Sequence, residues 1–138
     1  MAGRVHPFIQ VSFICRSCQE SYILYHPLDI LHAGDKCRHQ LILFDSDATA
    51  ARRAARRIAG AKIATSPHDL GEHSDIVITM LPNGHAVRAT ADGPDGLAAS
   101  MRKGTLLIDC SSAEPWLTRE TAAILATRGI EMIDAPVS

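Results

Sequence analysis

One strand-to-helix stretch constrains the fold of this chain more than any other part of the sequence. The run Thr105 to Ile108 is apolar and β-prone, and the polar segment Asp109 to Ser112 follows where the run ends. Pro115 suits the first turn of a helix, which Ser111 or Ser112 could cap. Ligands of open α/β sheets bind beyond the carboxyl ends of strands, so this strand end is the first candidate site. A capped connection without a ligand is the alternative interpretation.

Strands and helices alternate through most of the chain. The pattern predicts strands at residues 39–45, 61–64, 75–80, 105–108 and 130–133, with longer helices at 47–59, 83–90 and 116–128. Such alternation predicts an α/β fold, a doubly wound parallel sheet with right-handed crossovers. With 138 residues, the chain is long enough for one domain that buries a core.

Two further motifs flank the opening stretch. Residues 75–82 read DIVITMLP, and residues 130–138 read IEMIDAPVS. Together the three motifs resemble the cofactor-binding domain of the β-hydroxyacid dehydrogenases, which include 3-hydroxyisobutyrate dehydrogenase and, more distantly, 6-phosphogluconate dehydrogenase. The resemblance covers residues 31–138. It implies a Rossmann-like NAD(P)-binding domain of an oxidoreductase that transfers a hydride from a small β-hydroxy acid.

Asp45 ends the second predicted strand and bears on the choice of cofactor. A carboxylate in this position can accept hydrogen bonds from the adenosine ribose hydroxyls, and its charge repels a 2′-phosphate. The resemblance therefore implies that Asp45 favours NAD over NADP. The alternative is that Asp45, Ser46 and Asp47 only cap the next helix.

The resemblance also assigns the other candidate site residues. Leu81 and Pro82 match a pair that lies against the cofactor near its adenosine-ribose side. Ser112 matches the hydroxyl residue at the nicotinamide and the substrate carboxylate, and Ser138 matches the serine of a substrate-carboxylate loop. We therefore expect Asp45, Leu81, Pro82 and Ser112 to bind cofactor, and Ser112 and Ser138 to bind substrate.

Residues 1–30 do not match the family and form an atypical N-terminal segment. The chain has no glycine between Gly3 and Gly34, where relatives carry the glycine-rich turn that approaches the pyrophosphate. Residues 8–14 could form a substitute first strand, which belongs in the middle of such a sheet. Otherwise two central strands are left unpaired and the chain folds poorly. The segment is either a genuine structural element or the product of a shifted reading frame.

Several cysteines raise the question of a metal site. Cys15 and Cys18 stand two residues apart, and Cys37 and His39 follow, with His32 as another available ligand. Zinc could bind such a set, and a thiol–disulfide motif is a second interpretation. The spacing of the second pair is tighter than usual, so we predict no metal.

The sequence predicts a binding domain without catalytic activity of its own. In the family, a lysine on a later helical domain transfers the proton, and Lys36, Lys62 and Lys103 do not stand in that context. We expect no C-terminal helical domain, no catalytic residue and no turnover by this chain. A non-catalytic nucleotide-binding module and a zinc-binding interaction protein are the two alternatives.

Charge and hydropathy restrict the partners. The net charge is −1, and the basic face of helix 47–59 has no interleaved aromatic side chains, so nucleic acid is not expected. No apolar run approaches the ~20 residues that span a bilayer, and no signal pattern begins the chain. We expect a cytoplasmic chain that neither binds membranes nor forms the oligomers of full-length relatives.

Overall fold

A computed structural model describes residues 10–14 and 40–136 of the chain. Its strands are β1 (Gln10–Ile14), β2 (Gln40–Phe44), β3 (Lys62–Ile63), β4 (Ile76–Thr79), β5 (Leu106–Asp109) and β6 (Glu131–Asp134). Its helices are α1 (Ala48–Ala55), α2 (Pro67–Glu72), α3 (Gly84–Asp92) and α4 (Pro115–Thr127), with a 3₁₀ turn at Leu97–Ala99. The alternation predicted after residue 39 is therefore present.

The six strands form one sheet in the order β3-β2-β1-β4-β5-β6. This is the order of the dinucleotide-binding fold, and it confirms the predicted Rossmann-like class. The pairs β2–β3, β4–β5 and β5–β6 are parallel. Helices connect the successive parallel strands, as a parallel sheet requires.

The central strand differs from the predicted all-parallel sheet. β1 occupies the slot between β2 and β4, but it runs antiparallel to both, with Gln10 opposite Phe44 and Ile14 opposite Gln40. Either direction supplies backbone partners to the inner edges of β2 and β4, so neither is left unpaired. The reversal changes which end of β1 reaches the carboxyl edge of the sheet.

Alternating residues of the strands supply two cores, one on each face of the sheet. Leu41 and Leu43 pack in a cluster with Ile58 and Ile78, whereas Ile42 lies in the other cluster. The second cluster adds Leu70, Val77, Leu97, Leu107, Leu125 and Ile130, all buried. Successive side chains of a strand point to opposite faces, so these two clusters require helices on both sides.

Capping residues begin three of the four helices. Asp47, Ser66 and Asn83 each accept a backbone N–H of the first turn with their side-chain oxygen. α4 begins instead with Pro115, after Glu114 in the cap position without a side-chain cap. The suggestion that Ser111 or Ser112 caps this helix is wrong, because both lie too far before its first turn. None of the helices among the described residues is long and apolar enough to cross a membrane.

Candidate functional site

The candidate site lies along the carboxyl edge of the parallel strands. β2, β4, β5 and β6 all end there, because parallel strands share the direction of their chains. The residues that follow β2, β5 and β6 are small, polar or proline, whereas β4 is followed by Met80, Leu81 and Pro82. This edge brings Asp45 after β2, Leu81 and Pro82 after β4, and Ser112 after β5 to one side of the sheet.

Asp45 is a buried carboxylate, and only one of its two oxygens accepts a hydrogen bond within the described part of the chain. Its Oδ1 accepts the N–H of Asp47 at 2.8 Å, whereas Oδ2 is buried and has no hydrogen-bond partner among the described residues. Burial raises the pKa of Asp45 from its usual 3.8, against the lowering effect of the Asp47 N–H. Asp47, rather than Asp45, caps α1, through a 2.8 Å bond from the Thr49 N–H. The unpaired oxygen fits a ligand that brings its own hydroxyl donors.

A buried hydrogen-bond network joins the ends of β4 and β5. Oδ1 of Asp109 accepts the Thr79 hydroxyl at 2.8 Å, and it also accepts the N–H and the hydroxyl of Ser111 at 3.1 and 2.6 Å. Ser111 Oγ in turn accepts the N–H of Leu81 at 2.8 Å. The backbone at Leu81 is therefore fixed by side chains from the neighbouring strand.

Asp109 also contacts the end of β6. Its carbonyl oxygen accepts the N–H of Ala135 at 2.8 Å, so one residue links three strand ends. Its Oδ2 is buried and, like that of Asp45, has no hydrogen-bond partner within the described part of the chain. Asp109 and Ser111 are 0% and 2% exposed, which excludes both from direct contact with solvent.

Three of the predicted contact residues, unlike Asp45, are at least partly accessible, and the residues that support them were not predicted. Leu81 is half-buried, and Pro82 and Ser112 are exposed at the edge. Sequence reasoning noted the polar segment after β5 but did not predict the roles of Thr79, Asp109 and Ser111. An acid and a threonine that end two adjacent apolar strands are the signal that could have revealed them. Ser138 lies outside the described residues.

The N-terminus of α3 forms the outer part of the site. Glu114 Oε2 accepts the N–H of Gly84 at 3.3 Å, and a Cβ on Gly84 would lie 2.7 Å from that oxygen. Trp116 is 54% exposed, and its ring meets that of His85 edge-on at 6.2 Å between centroids. These side chains place a carboxylate and an aromatic ring beside the polar end of β5.

The described residues fit the ribose end of a dinucleotide better than its pyrophosphate. The orphaned oxygen of Asp45 suits ribose hydroxyls, and Ser112 offers an exposed hydroxyl further along the edge. β1, however, reaches this edge with its first residue, Gln10, rather than its last. The last residue of β1, Ile14, lies opposite Gln40, at the other edge of the sheet.

The metal hypothesis is not tested by the structure. Cys15, Cys18, His32, Cys37 and His39 all lie outside the described residues. Residues 10–14 and 40–136 contain no group of three or more side chains that could hold a metal ion. Cys110 is buried, and burial followed by the charge of Asp109 raises the pKa of its thiol.

Comparison with known proteins agrees with this geometry. The family model for the NAD binding domain of 6-phosphogluconate dehydrogenase matches residues 30–138. The chain is 38% identical over 100 residues to "Probable 3-hydroxyisobutyrate dehydrogenase, mitochondrial" from Dictyostelium discoideum, covering 72% of this chain and 30% of that protein. It is 41% identical over 80 residues to the NAD-dependent L-serine dehydrogenase of Pseudomonas aeruginosa, covering 58% and 27%.

A solved structure shows the same similarity. The 3-hydroxyisobutyrate dehydrogenase of Mycobacterium tuberculosis, determined with L-serine, is 36% identical with a TM-score of 0.62, covering 69% of this chain and 31% of that one. The chain thus spans about 30% of the length of the curated relatives that it matches.

Proposed function

The chain belongs to the family of the NAD binding domain of 6-phosphogluconate dehydrogenase, and from this we propose that it binds NAD in preference to NADP through Asp45. The buried, unpartnered Oδ2 of Asp45 at the end of β2 is the observation that carries the proposal. A ribose diol would give this oxygen the donors that it lacks, whereas a 2′-phosphate would bring negative charge against it.

The other edge residues take the remainder of the cofactor. Leu81 and Pro82 offer apolar surface at the end of β4, and the exposed Ser112 offers a hydroxyl at the nicotinamide end. The nicotinamide, when bound, accepts the hydride, and these side chains only bind and orient it. Ser112 and Ser138 remain our proposed contacts for the substrate carboxylate.

The substrate class is a small β-hydroxy acid, and we propose that this chain alone does not turn it over. The names of the relatives support the class, because 3-hydroxyisobutyrate and L-serine are both β-hydroxy acids. Lys62 lies on the edge strand β3, and Lys103 lies in the turn before β5, at the opposite edge of the sheet. Neither lysine can reach a nicotinamide at the carboxyl edge to transfer a proton.

A non-catalytic module for adenosine-containing nucleotides is the second candidate. It is favoured by the reversed β1, which brings Gln10 rather than the last residue of the strand to the carboxyl edge. The expectation of a cytoplasmic location stays a prediction, as does the expectation that the chain has no oligomeric partner.

Titration of the chain with NADH and with NADPH tests the proposal. Trp116 is the only tryptophan of the chain and follows Ser112 by four residues, so we expect quenching of its fluorescence by the dihydronicotinamide ring to report binding. We expect NADH to bind more tightly than NADPH. In Asp45→Asn, NADH affinity should fall about tenfold, because a charge-assisted hydrogen bond to the ribose is worth about 1.5–3 kcal/mol.

The matched control is Asp47→Asn, which keeps an oxygen to cap α1 and keeps the backbone N–H that Asp45 accepts. Equal affinity for the two cofactors, or an unchanged affinity in Asp45→Asn, would contradict the ribose role. Binding of NADH without oxidation of 3-hydroxyisobutyrate or L-serine in the presence of NAD is the expected result for activity. Turnover of either acid would contradict it.

A further inference from the structure

The proton of one buried hydroxyl has a defined direction. Ser111 Oγ lies 2.8 Å from the N–H of Leu81, which can only donate, and 2.6 Å from Oδ1 of Asp109. Because a serine hydroxyl has one proton, it must accept from Leu81 and donate to Asp109. The carboxylate thus determines that the lone pair of Ser111 faces Leu81.

The same carboxylate fixes both strand ends against each other. Oδ1 of Asp109 also accepts the Thr79 hydroxyl of β4 and the backbone N–H of Ser111. The residues next to these anchors are Leu81, which is half-buried, and Pro82 and Ser112, which are exposed at the carboxyl edge. The side-chain bonds at these two strand ends converge on Oδ1 of Asp109, beside the backbone bond from the Cys110 N–H to the Thr79 carbonyl.

The arrangement is not the one that stability alone would favour. The second oxygen of Asp109 is fully buried with no partner among the described residues, and such a group destabilises the fold. Elsewhere in the same domain, the buried hydroxyls of Ser74 and Thr121 simply bond carbonyls of their own helices or turns. At position 109, by contrast, three donors meet one carboxylate oxygen, and a neutral hydroxyl with two lone pairs could not accept them all.

We propose that Asp109 is a positioning residue that, acting through Ser111, holds Ser112 where the nicotinamide half of the cofactor would lie. The inference rests on the proposed cofactor site. It assigns a role to a side chain that does not itself touch the ligand, and it confines that role to the β4–β5 part of the edge, away from Asp45.

Two ligands separate this role from a general effect on folding. ADP-ribose contains the adenosine and the pyrophosphate but lacks the nicotinamide, whereas NADH contains all three. We expect Asp109→Asn to weaken NADH binding about tenfold, the equivalent of one charge-assisted hydrogen bond, and to leave ADP-ribose affinity within about twofold. Ser111→Ala should change the ratio of the two dissociation constants in the same direction.

Ser74→Ala is the matched control. It removes a buried hydroxyl that donates to the Leu70 carbonyl at 2.6 Å, far from the carboxyl edge. It should lower the free energy of unfolding without changing the ratio of the NADH and ADP-ribose dissociation constants. Equal weakening of both ligands in Asp109→Asn, or a ratio that Ser74→Ala changes as much, would overturn the positioning role.

Hydrogen exchange of the Leu81 amide decides the claim without a ligand. Asp109→Asn and Ser111→Ala should each speed exchange at Leu81 beyond the change at core amides such as Val77, while Ser74→Ala should not. Unchanged relative exchange at Leu81 in Asp109→Asn would refute the inference. If the wild type binds neither ligand, the proposed function fails, and this exchange measurement alone decides the role of Asp109.

Discussion

Asp45→Asn is expected to stabilise the fold at neutral pH while it weakens cofactor binding. The carboxylate is 9% exposed and buries one oxygen without a partner, which we estimate to cost about 2 kcal/mol in the charged form. The amide removes that charge, but it buries an NH₂ group in place of Oδ2 and weakens the bond from the Asp47 N–H by about 1 kcal/mol, because charged acceptors bind more strongly. The net expectation is a gain of under about 1 kcal/mol at pH 7.

The pH dependence of this gain gives the sharper test. The pKa of Asp45 is raised in the folded state, so the folded protein holds this proton more tightly than the unfolded chain. Stability from Asp45 is therefore full below the ordinary value of 3.8 and is lost as the pH rises through the raised pKa. The advantage of the variant should be small in acid, grow through that window and then stay constant.

Urea denaturation of both proteins across this pH range measures the difference. Taking the difference cancels the opposite contribution of Asp69, whose pKa is lowered by hydrogen bonds from Thr65. A variant that is less stable than the wild type at pH 7, or an advantage that shrinks as the pH rises, would refute the reasoning. Either result would mean that Asp45 finds donors in the folded chain without a ligand.

Three further outcomes follow from packing and backbone geometry. Leu107→Ala should cost about 3 kcal/mol in urea denaturation because this side chain is 0% exposed, whereas Ile133→Ala, at a site 48% exposed, should cost under about 1 kcal/mol. Gly129→Ala should destabilise the fold by more than Gly60→Ala, since both have positive φ but only Gly129 would bring a Cβ within 2.6 Å of Lys103 Cγ. Equal losses of stability in the two glycine variants would show that the Lys103 side chain moves away from the new Cβ. In the native protein, Cys110 should react with iodoacetamide more slowly than in urea, as read by peptide mass spectrometry, because burial raises its pKa.

The sequence was sufficient to predict the elements that bear the site, for reasons specific to them. Long apolar runs that end in Asp45, Leu81 or Ser112 indicate buried parallel strands, and parallel strands necessarily share one edge. The buried hydrogen bonds that join the ends of β4 and β5 were harder to predict. Ser111 looked like a helix cap, and its actual partners, Leu81 and Asp109, depend on the register between β4 and β5.

The direction of β1 could not be predicted for a different reason. A five-residue strand of alternating pattern carries no information on whether it pairs parallel or antiparallel, and both arrangements satisfy the backbone. The expectation of a parallel sheet came from the neighbouring βα units. The absence of a glycine-rich turn after β1 was the one local sign that this strand differs from them.

Antiparallel pairing also brings the two ends of the β1–β2 connection together. Ile14 and Gln40 are cross-strand partners, so the chain leaves β1 and enters β2 at neighbouring points on the same edge. A crossover is not needed between them, and a short hairpin loop would reach. Replacing residues 15–39 with such a loop should leave the sheet intact. Each halving of the loop length should lower the entropic free-energy cost of closing the loop by about 0.6 kcal/mol. The result would be a shorter chain in which a hairpin loop joins β1 directly to β2, the strand that Asp45 follows.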